Sequence, residues 1–126
     1  MTTENLVMAA MEAQKYSYAP YSGYKVGAAI LCSNGKIFSG TNIENASYGL
    51  TVCAERVAIF KAISEGQRDW DKIAIYSDGK SLPLPCGACL QVMFEFCPDL
   101  KIIATNNGTD YNEYKLVELL PNAFSL

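Results

Sequence analysis

Two cysteine motifs constrain this chain more than any other feature of it. The first is Cys53-Ala54-Glu55-Arg56 and the second, further along, is Pro85-Cys86-Gly87-Ala88-Cys89. The chain holds five cysteines and no histidine. Any fold for it must therefore accommodate sulfur groups that are distant in sequence. Cys86 and Cys89 lie three apart, and at the first turn of a helix that spacing puts both sulfurs on one side. Cys53 and Glu55 lie two apart and would splay in mid-helix. They converge only if Cys53 stands at a helix start, where the geometry is looser.

Helix N-termini suit thiolates. Free backbone N–H groups and the macrodipole favour negative charge there, and both lower a thiol's pKa. Three cysteines bind Zn²⁺ at about 2.3 Å each and leave the fourth tetrahedral position open to water. The metal would make that water a nucleophile near neutral pH. Three thiolates also donate charge to the metal and weaken its pull, so a nearby cation is expected. Arg56, next to Glu55, is the obvious candidate. The competing reading is a closed, non-catalytic structural zinc site with Cys32 or Cys97 as fourth ligand. Cys32 on a strand and Cys97 at a helix end read instead as inert core thiols.

Composition narrows the partners. The net charge is −3, from 10 basic and 13 acidic residues, and no basic run appears. Gripping a phosphate backbone requires clustered Lys and Arg, so no nucleic acid is expected and a small, weakly charged substrate is. Length predicts a single catalytic domain over 1–126, one small enough that a metal or neighbouring subunits would help to stabilise it. Met1 to Gln14 lacks the features of a signal peptide, and the apolar runs are too short to span a bilayer. No membrane partner and a cytoplasmic location are expected, where cysteines serve metals or catalysis rather than disulfides.

The periodicity predicts an amphipathic helix over Met1 to Gln14, with Leu6, Ala9, Ala10 and Ala13 at helical spacing and Thr2 or Thr3 as cap. Strands follow over Lys25–Cys32 and Lys36–Gly40, joined at Asn34-Gly35 by a type I′ turn. Thr41–Leu50 reads as a polar loop and Cys53–Glu65 as a helix stopped by Gly66. Lys72–Ser77 is a third strand and Gly87–Phe96 a helix ended by Pro98. Lys101–Thr105 and Asp110–Lys115 complete the strands, with a turn at Asn107-Gly108 and a short helix over Leu116–Leu120. This order predicts an α/β, three-layer architecture, a central five-stranded mixed sheet flanked by helices.

CAER and PCGAC together resemble the two zinc motifs of the zinc-dependent cytidine deaminase family, in its small, homotetrameric, Cys-ligated branch. The resemblance extends to Tyr18-Ala19-Pro20-Tyr21-Ser22, Val26-Gly27-Ala28-Ala29, Asn42-Ile43-Glu44-Asn45-Ala46 and Glu118-Leu119-Leu120-Pro121. It implies one Zn²⁺ per subunit on Cys53, Cys86 and Cys89, Glu55 as proton shuttle, and Arg56 as the residue that offsets thiolate charge. It implies that Asn42 and Glu44 hold the ribose 3′-hydroxyl, that Tyr24 lies beside the pyrimidine and that Ala54 offers its backbone to the base. Phe124 resembles a C-terminal aromatic that reaches a neighbouring subunit's site, and Tyr48 lies in a segment used across the same interface. The activity implied is hydrolytic deamination of cytidine and deoxycytidine in pyrimidine salvage. The alternative within the same chemistry is a deaminase of another nucleoside or a nucleoside antibiotic. One departure stands out: Leu90 follows Cys89 where the family often has Arg.

Overall fold

The computed structural model describes residues 2–126. Met1, with which the N-terminal amphipathic stretch begins, lies outside them. Helix α1 (Thr3–Gln14) is capped by the Thr2 hydroxyl, which accepts from the Asn5 N–H, while the Asn5 side chain answers the Thr2 N–H. Strands β1 (Gly27–Cys32), β2 (Ile37–Thr41), β3 (Trp70–Tyr76), β4 (Lys101–Thr105) and β5 (Tyr111–Lys115) form one sheet in the order β2-β1-β3-β4-β5. Only β3 and β4 run parallel; the other neighbours are antiparallel. The parallel pair is joined across one face by α3 (Gly87–Phe96). Helix α2 (Ala54–Ser64) precedes β3, and a short α4 (Leu116–Leu119) follows β5.

Alternation along the strands makes the three layers. Ala28, Ile30 and Cys32 of β1 join Ile73, Ile75 and Ile102 beneath α2 and α3, where Ala58, Ile59, Ala62, Leu90 and Met93 complete the larger core. Ala29, Leu31, Ala74 and Ile103 point the other way, onto Leu6, Val7 and Ala10 of α1. Because β1 is covered on both sides, every one of its residues is buried. The expected five-stranded mixed sheet between helical layers is the architecture observed.

One local expectation is corrected. No non-glycine residue has positive φ among the described residues, so Asn34-Gly35 is not a type I′ turn, which needs positive φ at both positions. The Gly35 N–H donates to the Cys32 carbonyl at 2.9 Å, and Cys32 N–H donates to the Lys36 carbonyl at 2.8 Å. The hairpin thus has a three-residue loop, Ser33 to Gly35, in which Gly35 alone takes the left-handed conformation, at φ 92. Asn34 is held away from that region by its side chain, which accepts from Lys36 N–H and donates to Gln67. The polar stretch after β2 is also more ordered than a plain loop. Ile43 bridges to Tyr18 and Val52, and Tyr48–Leu50 makes a 3₁₀ turn.

Register brings separate segments to one edge of the sheet. Gly27, at the start of β1, pairs with Thr41 at the end of β2 and with Tyr76 at the end of β3. The chain before β1, the chain after β2 and the chain after β3 therefore emerge side by side. Helix α2 lies close over this region because β2 has a glycine beneath it. A Cβ on Gly40 would stand 2.5 Å from the Ala58 nitrogen and 2.7 Å from the Ala54 carbonyl oxygen. Gly40→Ala is expected to cost about 1–3 kcal/mol through overpacking, read as a lower urea midpoint with an unchanged slope. Gly49→Ala, with nothing within 4 Å of its added Cβ, should leave the midpoint in place.

Candidate metal centre and active site

Both metal motifs open helices. Cys53 is the N-cap of α2 and Cys86 the N-cap of α3, each with extended backbone and no side-chain capping bond. Sulfur stands where a serine or aspartate oxygen ordinarily caps, so the first N–H groups of both helices keep their positive field for a thiolate. Cys89, in the first turn of α3, faces back toward Cys86. The Cys53–Cys86 sulfurs are 3.8 Å apart and the Cys86–Cys89 sulfurs 3.6 Å. A tetrahedral site with Zn–S bonds near 2.3 Å requires sulfurs about 3.8 Å apart, so the cluster has the dimensions of a zinc site.

Its electrostatics agree. Contact with Cys89, and then the Arg56 guanidinium, draw the Cys53 thiol down to about 5. The same contact, together with burial, holds Cys89 up. Three sulfurs in this space cannot all carry charge unaided, and a divalent cation is what would let them. Arg56 Nη2 donates to Cys53 Sγ at 3.6 Å, while the buried Nε has no hydrogen-bond partner. The sulfur contact raises the pKa of the guanidinium, so its charge is fixed beside the cluster.

A closed four-sulfur site is not what the chain builds. Among the described residues, Cys53, Cys86 and Cys89 are the one group of potential ligands that converges. Cys32 is buried in β1, and Cys97 donates to the Trp70 carbonyl. Burial pushes both thiols up, as for inert core cysteines.

Glu55, in the first turn of α2, is only 5% exposed. Burial is the main force that pushes its carboxyl up to about 7; the Cys53 charge adds to the push and Arg56 opposes it. It lines a pocket of about 210 Å³ with Cys53, Ala54 and Cys86 on one side and Tyr24, Val26, Asn42, Pro83 and Leu84 on the others. The registers described above explain this meeting: residues 24–26, 42 and 83–86 all leave the same edge of the sheet.

Of the residues expected at the site, the three cysteines, Glu55, Ala54, Tyr24 and Asn42 meet in or beside this pocket. Arg56 lies against its sulfurs. Glu44 lies outside, in an adjoining depression with Tyr21, Ser22 and Tyr48, and Thr51 borders both. Tyr48 and Phe124 do not reach the pocket of their own chain; they are 86% and 66% exposed. Leu90 is buried in the main core, on the far side of α3's first turn from solvent. Sequence reasoning gave no role to Gln91, whose side-chain amide pairs with both the N–H and the carbonyl of Phe124, at 3.1 and 2.6 Å. It gave none either to Pro83 and Leu84, whose only signal was their place just before Cys86.

An open three-thiolate centre with a buried carboxylate at the floor of a small, mostly apolar pocket defines a zinc-dependent hydrolytic site. Comparison with known proteins gives the family. A family model described as the cytidine and deoxycytidylate deaminase zinc-binding region matches residues 1–105. A cytidine deaminase of Halalkalibacterium halodurans is 51% identical over 126 residues, 99% of this chain and 96% of that protein. The crystal structure of cytidine deaminase from Burkholderia pseudomallei superposes with a TM-score of 0.94 at 46% identity, covering 98% of this chain and all of that one. That from Mycobacterium tuberculosis gives 0.85 at 36% identity, covering 100% of both chains. The chain belongs to the cytidine and deoxycytidylate deaminase zinc-binding family.

Replacing any one of Cys53, Cys86 or Cys89 by Ser should drop zinc content, by elemental analysis, well below one ion per chain. Cys32→Ser and Cys97→Ser should leave it at one.

Proposed function

We propose that this protein is a cytidine deaminase that converts free cytidine and deoxycytidine, with water, to uridine or deoxyuridine and ammonia. The observation that carries this reading is Glu55, a buried carboxylate set beside an open thiolate centre at the floor of the Tyr24 pocket. The full-length relatives that bear the name cytidine deaminase support it.

In this reading the pyrimidine enters between the Tyr24 ring and the apolar wall of Val26, Ile75, Pro83 and Leu84, which exclude bulk water. The N–H of Ala54, at the first position of α2, has no intrahelical acceptor and is offered to the base. Bound to Cys53, Cys86 and Cys89, zinc supplies the polarisation that makes a water molecule nucleophilic near neutral pH. Glu55 takes a proton from that water as its oxygen bonds to C4, and passes it to ring N3. Glu55 then takes the proton of the new C4 hydroxyl and gives it to the exocyclic amine as the C4–N bond breaks, so that ammonia leaves and C4 keeps the oxygen as a carbonyl. Arg56 holds its positive charge against Cys53 Sγ throughout and would limit the charge that sulfur gives to the metal.

Asn42 and Glu44 take the sugar. A carboxylate accepts from a hydroxyl and repels a phosphate, which favours a free nucleoside over a nucleotide; the acidic balance of the chain agrees. The whole chain, 1–126, acts as one catalytic domain. The assembly is a homotetramer in which Phe124 and Tyr48, exposed and outside the pocket of their own chain, complete a neighbour's site. No helix among the described residues is long and apolar enough to cross a membrane. We assign the enzyme to the cytoplasm and to pyrimidine salvage.

Glu55→Gln should keep zinc content and thermal midpoint while lowering turnover of cytidine, followed by ultraviolet absorbance, by about 10²–10⁴-fold. Wild-type activity in that variant would remove Glu55 from the mechanism. Cytidine 5′-monophosphate should react at least about tenfold more slowly than cytidine; equal rates would contradict the nucleoside assignment. Sedimentation should show a tetramer, and a fully active monomer would sink the shared site.

A further inference from the structure

The hydrogen-bond capacity of Asn42 and Glu44 is almost entirely used inside the protein. An amide oxygen can accept two bonds and an amide nitrogen donate two; a carboxylate offers about four acceptor sites. Asn42 Oδ1 accepts from Ser17 Oγ at 2.5 Å and from Val26 N–H at 3.0 Å, and Nδ2 donates to the Tyr24 carbonyl at 2.7 Å. That leaves one N–H. Glu44 Oε1 accepts from the N–H groups of Tyr21 and Ser22, at 2.9 and 3.1 Å, and Oε2 accepts from the Ser22 hydroxyl. That leaves one acceptor site, on Oε2. One donor and one acceptor are the complement of a single hydroxyl group.

Ser22 sets this count. Its Oγ accepts from the Tyr24 N–H at 3.0 Å, so its own proton is directed to Glu44 rather than back to the main chain. With the two backbone donors on Oε1, the hydroxyl fixes the rotamer of the carboxylate, and it occupies one of the two sites that Oε2 would otherwise present. It is also the largest influence holding the Glu44 pKa below the usual carboxylate range, ahead of the two backbone donors. The carboxylate stays an acceptor and never a donor.

We propose that Ser22 is a positioning residue for substrate selection, acting through Glu44 to make the site specific for one sugar hydroxyl. This rests on the assignment of Asn42 and Glu44 to the sugar. Without the Ser22 hydroxyl, Glu44 is held by the two backbone donors on Oε1 alone; Oε2 presents two free sites to water, and the substrate hydroxyl competes for an oxygen that is less strictly aimed at it. The base pocket keeps its lining side chains; the bond lost there, from the Tyr24 N–H to Ser22 Oγ, falls on every substrate alike.

The test uses the zinc-loaded, full-length enzyme and two substrates that differ in the 3′-hydroxyl alone, deoxycytidine and 2′,3′-dideoxycytidine. Wild-type enzyme should prefer deoxycytidine in kcat/KM. Ser22→Ala should reduce that preference about tenfold, mainly through KM for deoxycytidine, while the smaller cost of freeing the Tyr24 N–H is shared by both substrates and cancels in the ratio. Ser22→Thr, which keeps the hydroxyl, should restore it. If Ser22→Ala slows both substrates equally, or neither, the proposal is overturned. Glu44→Gln separates the two layers. If it abolishes the preference while Ser22→Ala does not, only the role of Ser22 fails. If Glu44→Gln keeps the preference, or the wild type has none, the sugar assignment fails and Ser22 with it.

Discussion

The contact on which the rest of this structure depends is between two helix ends that both begin in cysteine. Cys53 and Cys86 bring the N-termini of α2 and α3 within 3.8 Å at their sulfurs. Two positive helix ends facing each other repel, so nothing in the backbone alone favours the approach. Negative sulfur between them, gathered by a cation, turns the same fields into attraction. The sheet makes the approach possible. Helix α3 is the crossover between parallel β3 and β4, α2 lies on the same face over β1 and β2, and Gly40 removes the side chain that would hold α2 off.

What the sequence disclosed was chemistry that is local. CAER and PCGAC carry the three converging thiols, the buried carboxylate and the guanidinium beside them within a few residues, because a helix start can orient neighbours by itself. The strands were legible as apolar runs, with their ends displaced by one or two residues. Strand order was not, and it is strand order that brings Tyr24, Asn42 and Leu84 to one pocket. A single antiparallel strand, β1, pairs with both β2 and β3 and gathers three chain segments at one edge. The Asn34-Gly35 turn misled for a different reason. The dipeptide suits a type I′ turn, yet the Asn34 side chain bonds to Lys36 and Gln67, and those bonds are available only once the rest of the fold has formed.

Asn42 and Glu44 show why a motif read as a ligand pair can be half structural. Together their side chains accept or donate six bonds within the chain, all of them to the segment from Ser17 to Val26. That segment has almost no regular secondary structure, so its backbone groups need side-chain partners. The two residues template the loop that carries Tyr24, and only their residual capacity faces outward. A buried or half-buried polar group with every bond but one satisfied is already oriented before a ligand arrives, which lowers the entropy cost of binding.

Arg56 shows how the absence of histidine propagates. It sits in the first turn of α2, where the helix field disfavours a cation by about 0.3–1 kcal/mol. By helix rules alone this is the wrong residue for the position, and its buried, unpartnered Nε adds a desolvation cost. The spacing explains the choice. Three residues after an N-cap, a side chain reaches back to the cap itself, as the glutamate of a capping box does. Here the cap is a thiolate and the sign of the returning group is reversed. A neutral imidazole ligand in place of Cys53 would need no such partner, since it brings no negative charge to the metal. In the function proposed above, the guanidinium follows from building the centre from sulfur alone. The local violation of helix rules at Arg56 is the kind of conflict that folded chains retain where chemistry, rather than stability, decides the residue.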